Sequence, residues 1–524
     1  MKRILLLTLV CMLAFGCALA DPSVLNTKSI MPIVTEPITL RVAAALFNAH
    51  VDYDKMYMYN LYEEMTGIHI DWDLTPQENW NERKNLMLSS DDLPDVFLRG
   101  SISQSEAVNY GAEQGMLLNI KPLLEEYAPN FYALAEKYTD VWATITVEDG
   151  VYTLPQLIPA IGPRSRSVWI HEGWLSAAEL AMPDTVEDFY NLAVAFKNLD
   201  WNKNGQADEY PISWDAGRLG DVFGNFSSMF GMMTLGSQAG NIDLDENGSL
   251  RFYPVNERYK EMLRFMNKLW EEDLVDQDSL TQSSAQVIVK ADEGTVGIYP
   301  ALNGPYFLGK DAVQYAAMPA VENQWGERMW NNANNIVQIF GSFAITNRCA
   351  NPEAALRWAD YFYSEEGVLL IFFGTEGYTF DYGEDGRPHY TPLVMDESLG
   401  LTTNQLTGRF LPMASSMLPL IQLPELAYDV TEPNEFRRQE SGRIHEADIP
   451  EKLWSPIFSS AAQSELSPIA ADINTYITEM RMKFMTGAAN IDTDWDAYVQ
   501  RLETMGMAQY IDLYQSAYDL AYSN

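Results

Sequence analysis

A run of oxygen-bearing side chains around Gly205 has the spacing of a calcium-binding loop. Calcium takes about six to eight oxygen ligands from a tightly curled loop, and a central glycine permits the sharp turn. Position 12 is Pro211 instead of the bidentate Glu of an EF-hand, so two adjacent acids would have to close the cage. The alternative is an Asn-Gly turn between a helix and a strand. The candidate calcium ligands are Asp200, Asn202, Asn204, Gln206 (through its backbone carbonyl), Asp208 and Glu209.

Other stretches match known functional motifs only in part. The stretch 243–248 begins like the first loop but continues to Arg251 and Phe252, which predicts a hairpin turn. The stretch 304–310 has phosphate-loop spacing, yet Asp311 replaces the Ser or Thr that binds magnesium. Neither a G-x-S-x-G elbow nor an H-E-x-x-H motif occurs, so we assign no catalytic residue. A glycosidase needs two carboxylates across a cleft, which spacing alone neither shows nor excludes.

Five aromatic residues lie in or near loops that follow predicted strands. Sugar rings present flat C–H faces on which Trp and Tyr rings stack, and ligand sites of α/β proteins form beyond the ends of strands. Ordinary core packing is the alternative for each residue. We expect two or three of the five to contact a ligand, and we expect Trp495 in the core. The ligand-binding candidates are Trp169, Trp214, Tyr306, Trp330 and Tyr378.

The pattern along the chain predicts the elements that position these residues. Strand-like runs alternate with helical ones from residue 39 to residue 98, which indicates an α/β layer with a largely parallel sheet. A strand at Ser342–Thr346 followed by a helix at Pro352–Tyr363 repeats the texture. The last thirty residues are predicted to be helical, with one apolar face. In the first stretch we predict Thr39–Ala45, Ile68–Leu74 and Pro94–Leu98 as strands, and Asp54–Thr66 and Asn79–Ser89 as helices.

Residues 1–20 have the three parts of an export signal. Lys2 and Arg3 precede an uncharged apolar stretch, and Ala18-Leu-Ala20 fits the small-x-small cleavage pattern before Asp21. The stretch is shorter than the roughly 20 apolar residues that a membrane-spanning helix needs. We therefore expect an exported protein in which a linker over 21–37 follows the signal peptide.

Cys17 offers a second interpretation of the same end. Gly16-Cys17 resembles the end of a lipobox, in which the cysteine is lipidated and becomes the first mature residue. Cleavage after Ala20 and lipidation of Cys17 both place the protein outside the cytoplasmic membrane, secreted in the first case and tethered in the second. Either event leaves Cys349 as the last thiol, so no internal disulfide can form. We expect Cys349 to be structural.

The formal net charge of −39 restricts the partners. An acidic protein is repelled by nucleic acid and by anionic membrane surfaces, so neither is expected to bind. The acidic residues are spread along the chain, which is typical of a solvated surface.

Several segments resemble family 1 extracellular solute-binding proteins of ABC importers, in the large lipoprotein-type branch. Each segment alone is weakly specific, whereas their order and spacing cover nearly the whole mature chain. The resemblance implies that the variant loop at 200–209 is a structural calcium site. The matching segments are NWNERKNLMLSSDDLPDVF (79–97), DGVYTLP (149–155), VWIHEGWL (168–175), FAITNRCANPEAALRWADYFYSEEG (343–367) and KFMTGAANIDTDWDAYVQRLETMG (483–506).

The same resemblance implies a two-lobed periplasmic-binding-protein-like fold of class II type, an α/β architecture with a ligand cleft between the lobes. The first lobe would comprise 38–153 and 337–378. The second would comprise 154–336 and 379–524, with the calcium loop and the C-terminal helices. The chain would cross between lobes near Tyr152–Pro155, Val337 and Tyr378, and closure would let both lobes touch the ligand.

The expected function is capture of a carbohydrate, specifically an oligosaccharide, and its delivery to the permease subunits of an ABC importer by a monomeric, non-enzymatic protein. The first alternative is a secreted carbohydrate-active enzyme, a lyase or glycoside hydrolase, which would share the signal, the calcium and the aromatics. A surface adhesin or sensor component without transport is the second alternative. Turnover separates a binder from an enzyme, because a binder returns its saccharide unchanged.

Overall fold

The computed structural model describes residues 24–522 except positions 91, 139, 160–164, 302–303, 402, 413–416, 424–425 and 427–432. The predicted export signal and Cys17 lie outside the described residues. Two separate sheets and a set of C-terminal helices make up a mixed α/β fold, as predicted. No helix among the described residues combines the length and the apolar character that a membrane crossing requires.

The first sheet has five strands in the order β2-β1-β3-β11-β4. Its β1, β2 and β3 are parallel, whereas β11 runs antiparallel to both β3 and β4. Alternate residues of β1 enter two cores: Val42 and Ala44 pack on one face of the sheet, and Ala43 and Ala45 pack on the other. The strands are β1 (Ile38–Leu46), β2 (Ile68–Pro76), β3 (Val96–Leu98), β4 (Leu154–Leu157) and β11 (Val337–Ile345).

The second sheet has four strands in the order β10-β5-β9-β6, and two small hairpins accompany the sheets. In this sheet β6 and β9 are parallel, and β5 pairs antiparallel with both β9 and β10. One hairpin confirms the turn predicted at 243–248. The remaining strands are β5 (Ser167–His171), β6 (Tyr210–Ile212), β7 (Ile242–Leu244), β8 (Leu250–Phe252), β9 (Val296–Ala301), β10 (Tyr315–Ala317), β12 (Phe380–Tyr382) and β13 (Pro388–Tyr390).

Helices cover both sheets, and the longest of them lie at the C-terminal end of the chain. In the first half they are α1 (Tyr57–Thr66), α2 (Trp80–Ser90), α3 (Gln104–Glu106, continued by a π-helix over Ala107–Glu113), α4 (Leu124–Tyr127), α5 (Pro129–Lys137), α6 (Asp140–Ile145), α7 (Glu172–Ala177), α8 (Val186–Lys197), α9 (Leu219–Met229) and α10 (Glu257–Glu271). They continue with α11 (Ser284–Asp292), α12 (Pro352–Asp360), α13 (Glu365–Phe372), α14 (Thr403–Thr407), α15 (Pro433–His445), α16 (Ser460–Met485), α17 (Ile491–Thr504) and α18 (Met507–Tyr522).

Local signals explain where several of these elements begin and end. Gly67 ends α1 with a φ of 75°, a left-handed conformation that glycine adopts without a steric penalty. Thr185 and Asp188 form a capping box at the start of α8, which supplies partners to backbone N–H groups that the helix leaves free. On α17, Trp495, Tyr498 and Leu502 are buried as the predicted apolar face requires.

The buried apolar residues form a separate core around each sheet, which defines two lobes. The first-lobe core includes Leu157 and Ile336, and it reappears from Leu411 to Ile421. The predicted boundaries at 154 and 378 therefore differ from the core assignment. The physical reason is that β4 pairs with β11, and that Leu420 and Gln422 hydrogen-bond to Leu157.

Three segments connect the lobes at one edge of each sheet. They leave the first lobe after Leu157, before Val337 and after Gln422, the last of these far from the crossing predicted near Tyr378. In the second sheet Ser167 pairs with Ala301, so the chain enters β5 at the carboxyl end of β9. In the first sheet, Phe343 pairs with Leu98, so Val337 lies beyond the carboxyl end of β3. The carboxyl ends of the parallel strands in both lobes are thus on the side of the connections.

Candidate functional site

The predicted calcium loop is curled around its own side chains. Asp200 accepts hydrogen bonds from the backbone N–H groups of Asn204 (3.0 Å) and Gly205 (3.1 Å), and Asn204 Oδ1 accepts from Gln206 N (2.7 Å). Lys203 and Gly205 have positive φ values of 58° and 75°. This sharp curl turns side-chain oxygens toward the inside of the loop, which is the arrangement that calcium needs.

Two carboxylate oxygens at the closing end of the loop have no hydrogen-bond partner among the described residues. Asp208 Oδ2 accepts from Asn204 Nδ2 (2.9 Å) and Glu209 Oε1 accepts from Trp201 N (2.7 Å), whereas Asp208 Oδ1 and Glu209 Oε2 are buried without a hydrogen bond. Buried unsatisfied oxygens of this kind are costly unless a cation neutralises them. The loop therefore fits calcium. Across the described residues no group of three or more His, Cys, Asp or Glu side chains is arranged as a metal site, so amide and main-chain oxygens would have to contribute.

Trp201 and β6 connect the loop to the interior of the second lobe. The Trp201 ring lies 5.0 Å from the His171 ring, and burial lowers the pKa of His171 to about 4. The loop continues directly into β6, after which Ser213 donates to Asp276 Oδ2 (2.7 Å). Lys290 also donates to Asp276 Oδ2 (2.7 Å), so the segment that leaves β6 is held by a buried polar network.

That segment leads into a polar cluster at the carboxyl edge of the second sheet. Tyr299 donates to Asp215 Oδ2 (2.9 Å), and Asp221 lies between two guanidinium groups, those of Arg166 (3.2 Å) and Arg218 (3.6 Å). Burial, and next the Asp215 carboxylate, raise the pKa of Tyr299. We call Arg166, Asp215, Arg218, Asp221 and Tyr299 the second-lobe polar cluster.

An aromatic ring accompanies this cluster. The Arg218 guanidinium lies 4.5 Å from the centre of the Phe307 ring, and Phe307 is partly exposed. Arg166 donates in addition to Ser237 (3.2 Å) and Asn334 (2.6 Å). Paired charges next to a ring can hold hydroxyl groups by hydrogen bonds and an apolar sugar face by stacking. These side chains carry no local motif that sequence reasoning could have recognised.

The carboxyl edge of the first sheet is closed by Arg99, which is fully buried in a left-handed conformation at φ 55°. Its guanidinium donates to Tyr53 Oη (3.1 Å) and to the carbonyl of Pro412, and its Nε has no partner among the described residues. Burial, and secondarily the Arg99 charge, lower the pKa of His50 to about 3. Strained backbone and unpaired polar atoms are typical of functional edges.

Three of the five predicted ligand aromatics are buried in the second-lobe core. Trp169 donates to the carbonyl of Ala301 (2.9 Å), and Trp330 stacks on His445 at 4.0 Å with a 6° interplanar angle. Trp214 is 1 % exposed, and within the part of the chain that the structure describes its indole N–H has no hydrogen-bond acceptor. Whether any of them touches a ligand stays a prediction.

The other two predicted aromatics differ from these. The backbone of Tyr306 belongs to a short 3-10 turn after β9, and its side chain lies outside the part of the chain that the structure describes. Tyr378 belongs to the first lobe and is 45 % exposed. Its ring packs on Tyr57, a residue that the sequence pattern did not single out.

A cavity of about 1070 Å³ lies between the lobes, beside α6 and the end of α18. Trp142 of the first lobe and Tyr522 of the second line it, together with acidic residues such as Glu136 and Glu451. The described predicted ligand aromatics do not line it. Nearby, Asn335 joins the lobes, because its Nδ2 donates to Thr144 (2.9 Å) and its backbone N–H donates to Gln238 (2.8 Å).

Two groups with the chemistry of nucleophiles are structural. Burial raises the pKa of Cys349 to about 12, which keeps it as the neutral thiol. Ser165 and His445 approach within 3.3 Å, but both are buried, Trp330 donates to Ser165 Oγ (2.9 Å), and His445 Nε2 bonds to the carbonyl of Met318 (2.9 Å). This pair fixes α15 to the second lobe.

Comparison with known proteins identifies relatives along nearly the whole chain. The fructooligosaccharide ABC transporter substrate-binding protein FusA of Streptococcus pneumoniae is 27 % identical over 495 residues, which cover 90 % of this chain and 88 % of the relative. The polygalacturonan/rhamnogalacturonan-binding protein YtcQ of Bacillus subtilis is 24 % identical, with 88 % and 87 % covered.

Solved structures share the fold. The structure of S. pneumoniae FusA in complex with kestose matches with a TM-score of 0.69 at 24 % identity, covering 93 % of this chain and 100 % of that one. A solute-binding protein of Bifidobacterium longum infantis, described as HMO-binding, matches with a TM-score of 0.76 at 20 % identity, covering 93 % and 99 %. The two-lobed periplasmic-binding-protein-like fold is thereby confirmed.

The model of the family described as bacterial extracellular solute-binding protein matches residues 45–369. This range contains the calcium-type loop, the second sheet and all of the first sheet except most of β1. Because the match spans more than half of the chain, the protein belongs to the family of bacterial extracellular solute-binding proteins.

Proposed function

We propose that this protein captures an oligosaccharide outside the cytoplasmic membrane and delivers it to the permease of an ABC importer. The observation that carries the proposal is the second-lobe polar cluster, at the edge where the three connecting segments meet. Relatives that cover most of the chain bind fructooligosaccharides or polygalacturonan by name, which supports a saccharide as the ligand.

The second-lobe polar cluster supplies donors and acceptors for sugar hydroxyls. Asp215 and Asp221 accept hydrogen bonds, Arg166 and Arg218 donate them, and Phe307 adds an apolar face. The first lobe would close over the ligand from the Arg99 edge. Since only the closed form contacts the ligand from both sides, ligand binding favours closure.

Calcium belongs to this proposal as a structural ion of the second lobe. The residues that would hold it are Asp200, Asn202, Asn204, the Gln206 carbonyl, Asp208 and Glu209. A solved structure of an EF-hand mutant of FusA, with a TM-score of 0.68, is consistent with a loop of this type in the fold. When bound, the ion would neutralise the closing carboxylates and stabilise the loop that leads into β6.

Export and tethering complete the proposal. We infer that the protein reaches the outer face of the cytoplasmic membrane, held by lipid on Cys17 or released by cleavage after Ala20. Mass spectrometry of the native N-terminus distinguishes the two. A chain that still begins at Met1 would contradict export.

The direct test is binding of a saccharide library followed by analysis of the ligand. A bound saccharide should raise the melting temperature, since it binds only the folded protein. Arg218→Ala and Asp215→Asn should weaken the binding by about 1–3 kcal/mol each. Lys483→Ala, at an exposed position of α16 in the second lobe, serves as the control.

The recovered saccharide must be chemically intact. A product whose formation stops on replacement of one Asp or Glu would overturn the proposal in favour of a carbohydrate-active enzyme. Binding of no saccharide at all would overturn it as well. A monomer in solution, with and without ligand, is the expected assembly state.

A further inference from the structure

An exposed aromatic surface lies on the first lobe, where the start of α1 meets the segment of the β12–β13 hairpin. Tyr378 is 45 % exposed and Tyr382 is 48 % exposed, and both belong to the segment of the β12–β13 hairpin. The Tyr57 ring lies 4.8 Å from the Tyr378 ring with a 49° interplanar angle. We call Tyr57, Tyr378 and Tyr382 the rim tyrosines.

Two of the rim tyrosines, Tyr57 and Tyr378, are held in place by hydrogen bonds around the turn at 374–379. Tyr57 Oη donates to Thr375 Oγ1 (2.9 Å), and Thr375 N donates to Thr379 Oγ1 (2.7 Å), which fixes the turn on both sides of Tyr378. Gly374 completes this turn at φ 83°, and a Cβ there would lie only 2.3 Å from Thr379 Oγ1. A preordered exposed ring loses little conformational entropy when it binds a ligand, so it favours recognition.

Their position relates the rim tyrosines to the carboxyl edge of the first sheet. Tyr57 begins α1, the helix that follows β1, and Met58 N donates to the carbonyl of Phe410 (3.0 Å). Farther along the same part of the chain, the Pro412 carbonyl accepts from Arg99, and Leu420 and Gln422 hydrogen-bond to Leu157 at the connection. Because β3 and β11 lie between β1 and β4, three strand spacings of about 4.8 Å place β1 roughly 14 Å from β4.

We propose that the rim tyrosines form a distal subsite for the far sugar units of a long saccharide. This inference rests on the proposed function and adds a dependence on chain length. A short saccharide held at the second-lobe polar cluster would not extend to Tyr378. A longer one would lie along the carboxyl edge and stack on the exposed ring face. Affinity should therefore rise with chain length, and the rim tyrosines should account for the increase.

Calorimetric titration of the calcium-loaded full chain with saccharides of graded length tests this. The probes are a short and a long member of three series: kestose and fructo-nystose, di- and tetragalacturonate, and lactose and lacto-N-tetraose. Tyr378→Ala should weaken binding of the long member by about tenfold and of the short member by less than about twofold. Tyr378→Phe keeps the ring and should match the wild type.

Trp325→Ala is the matched control, because Trp325 is an exposed aromatic (37 %) on the other lobe and should affect neither length. Equal melting temperatures show that the variants fold. Equal losses for short and long saccharides, or no loss for either, would overturn the subsite while leaving the proposed function intact. Unchanged affinities with reduced uptake would also overturn it, in favour of a permease contact. If the wild type binds none of the probes, the proposed function fails together with the subsite.

Discussion

The variant Asp208→Asn should be at least as stable as the wild type without calcium and less stable than the wild type with calcium. Asp208 Oδ1 is buried without a partner, and Oδ2 accepts from Asn204 Nδ2 (2.9 Å). An unsatisfied buried group costs about 1–3 kcal/mol, and a neutral amide is cheaper to bury than a carboxylate. The Asn side chain has the same shape and keeps one acceptor for Asn204. Without calcium, Asp208→Asn should therefore be at least as stable as the wild type.

With calcium the wild type should be more stable than Asp208→Asn, because the variant lacks the Asp208 carboxylate as a charged calcium ligand. At a hundred times its Kd, an ion that binds only the folded state adds about 2.7 kcal/mol. If the second lobe melts as a unit, this corresponds to an increase of about 5–10 °C in Tm. The increase should be much smaller for Asp208→Asn and absent for the double variant Asp200→Ala, Asp208→Ala.

Scanning calorimetry in EDTA and in millimolar calcium measures both effects. Asp245→Asn is the matched control, because Asp245 opens a similar turn and accepts from the backbone N–H groups of Asn247 and Ser249 (both 2.9 Å). That variant should lose the same stability with and without calcium. A wild-type Tm that is equal in EDTA and calcium would refute the reasoning, as would an Asp208→Asn variant that is destabilised equally in both.

Three further predictions concern the buried groups. Burial lowers the pKa of His445 to about 4, so the unfolded chain takes up a proton below pH 6.5 that the folded protein excludes. To the loss of stability between pH 7 and pH 5, His445 should contribute about 1–2 kcal/mol, to which the buried His50 and His171 add; denaturant unfolding should show that His445→Asn reduces the loss by this amount. Trp330→Ala should cost about 3–5 kcal/mol in the same assay, since it empties the stack on His445, and an unchanged denaturation midpoint would contradict a core role. Asn335→Ala should cost about 1–3 kcal/mol, because it removes the donor to Thr144 Oγ1 and leaves the backbone N–H of Val337 without its Asn335 Oδ1 acceptor. It should also enlarge the ligand-free radius of gyration in solution scattering, and a variant with the wild-type stability and radius would show that Asn335 does not tie the lobes.

The strand and helix pattern of the first lobe could be predicted because it is local. The predicted strands at 39–45, 68–74 and 94–98 correspond to β1, β2 and β3, and the helix predicted at 79–89 corresponds to α2. Apolar residues repeat every two positions in a strand and about every 3.6 positions in a helix, so each element can be recognised from a short stretch of its own sequence. The lobe boundary near residue 378 stays a prediction, because the division between the lobes depends on contacts such as the hydrogen bonds of Leu157 with Leu420 and Gln422, which no local pattern encodes.

The aromatic candidates show a different limit. The local sequence around a tryptophan that follows a strand is the same whether its ring stacks on a ligand or packs in the core. The two cases differ in the group that covers the face of the ring. For Trp330 that is His445, more than a hundred residues later in the chain. The Asn-Gly loop was recognisable because all of its candidate ligands lie within ten consecutive residues.

The residues that we place at the binding edge come together only through topology. Tyr57 and Thr375 are 318 positions apart, and Asp215 and Tyr299 are 84 apart, yet each pair shares a hydrogen bond. Parallel strands bring their carboxyl ends to one edge regardless of the length of the chain between them, so the edge collects polar and aromatic side chains from distant segments. A ligand site built this way has no sequence motif of its own. The calcium-type loop can be recognised in the sequence because its residues are contiguous. A saccharide site at the strand ends of both lobes is assembled by the fold and can be recognised only there.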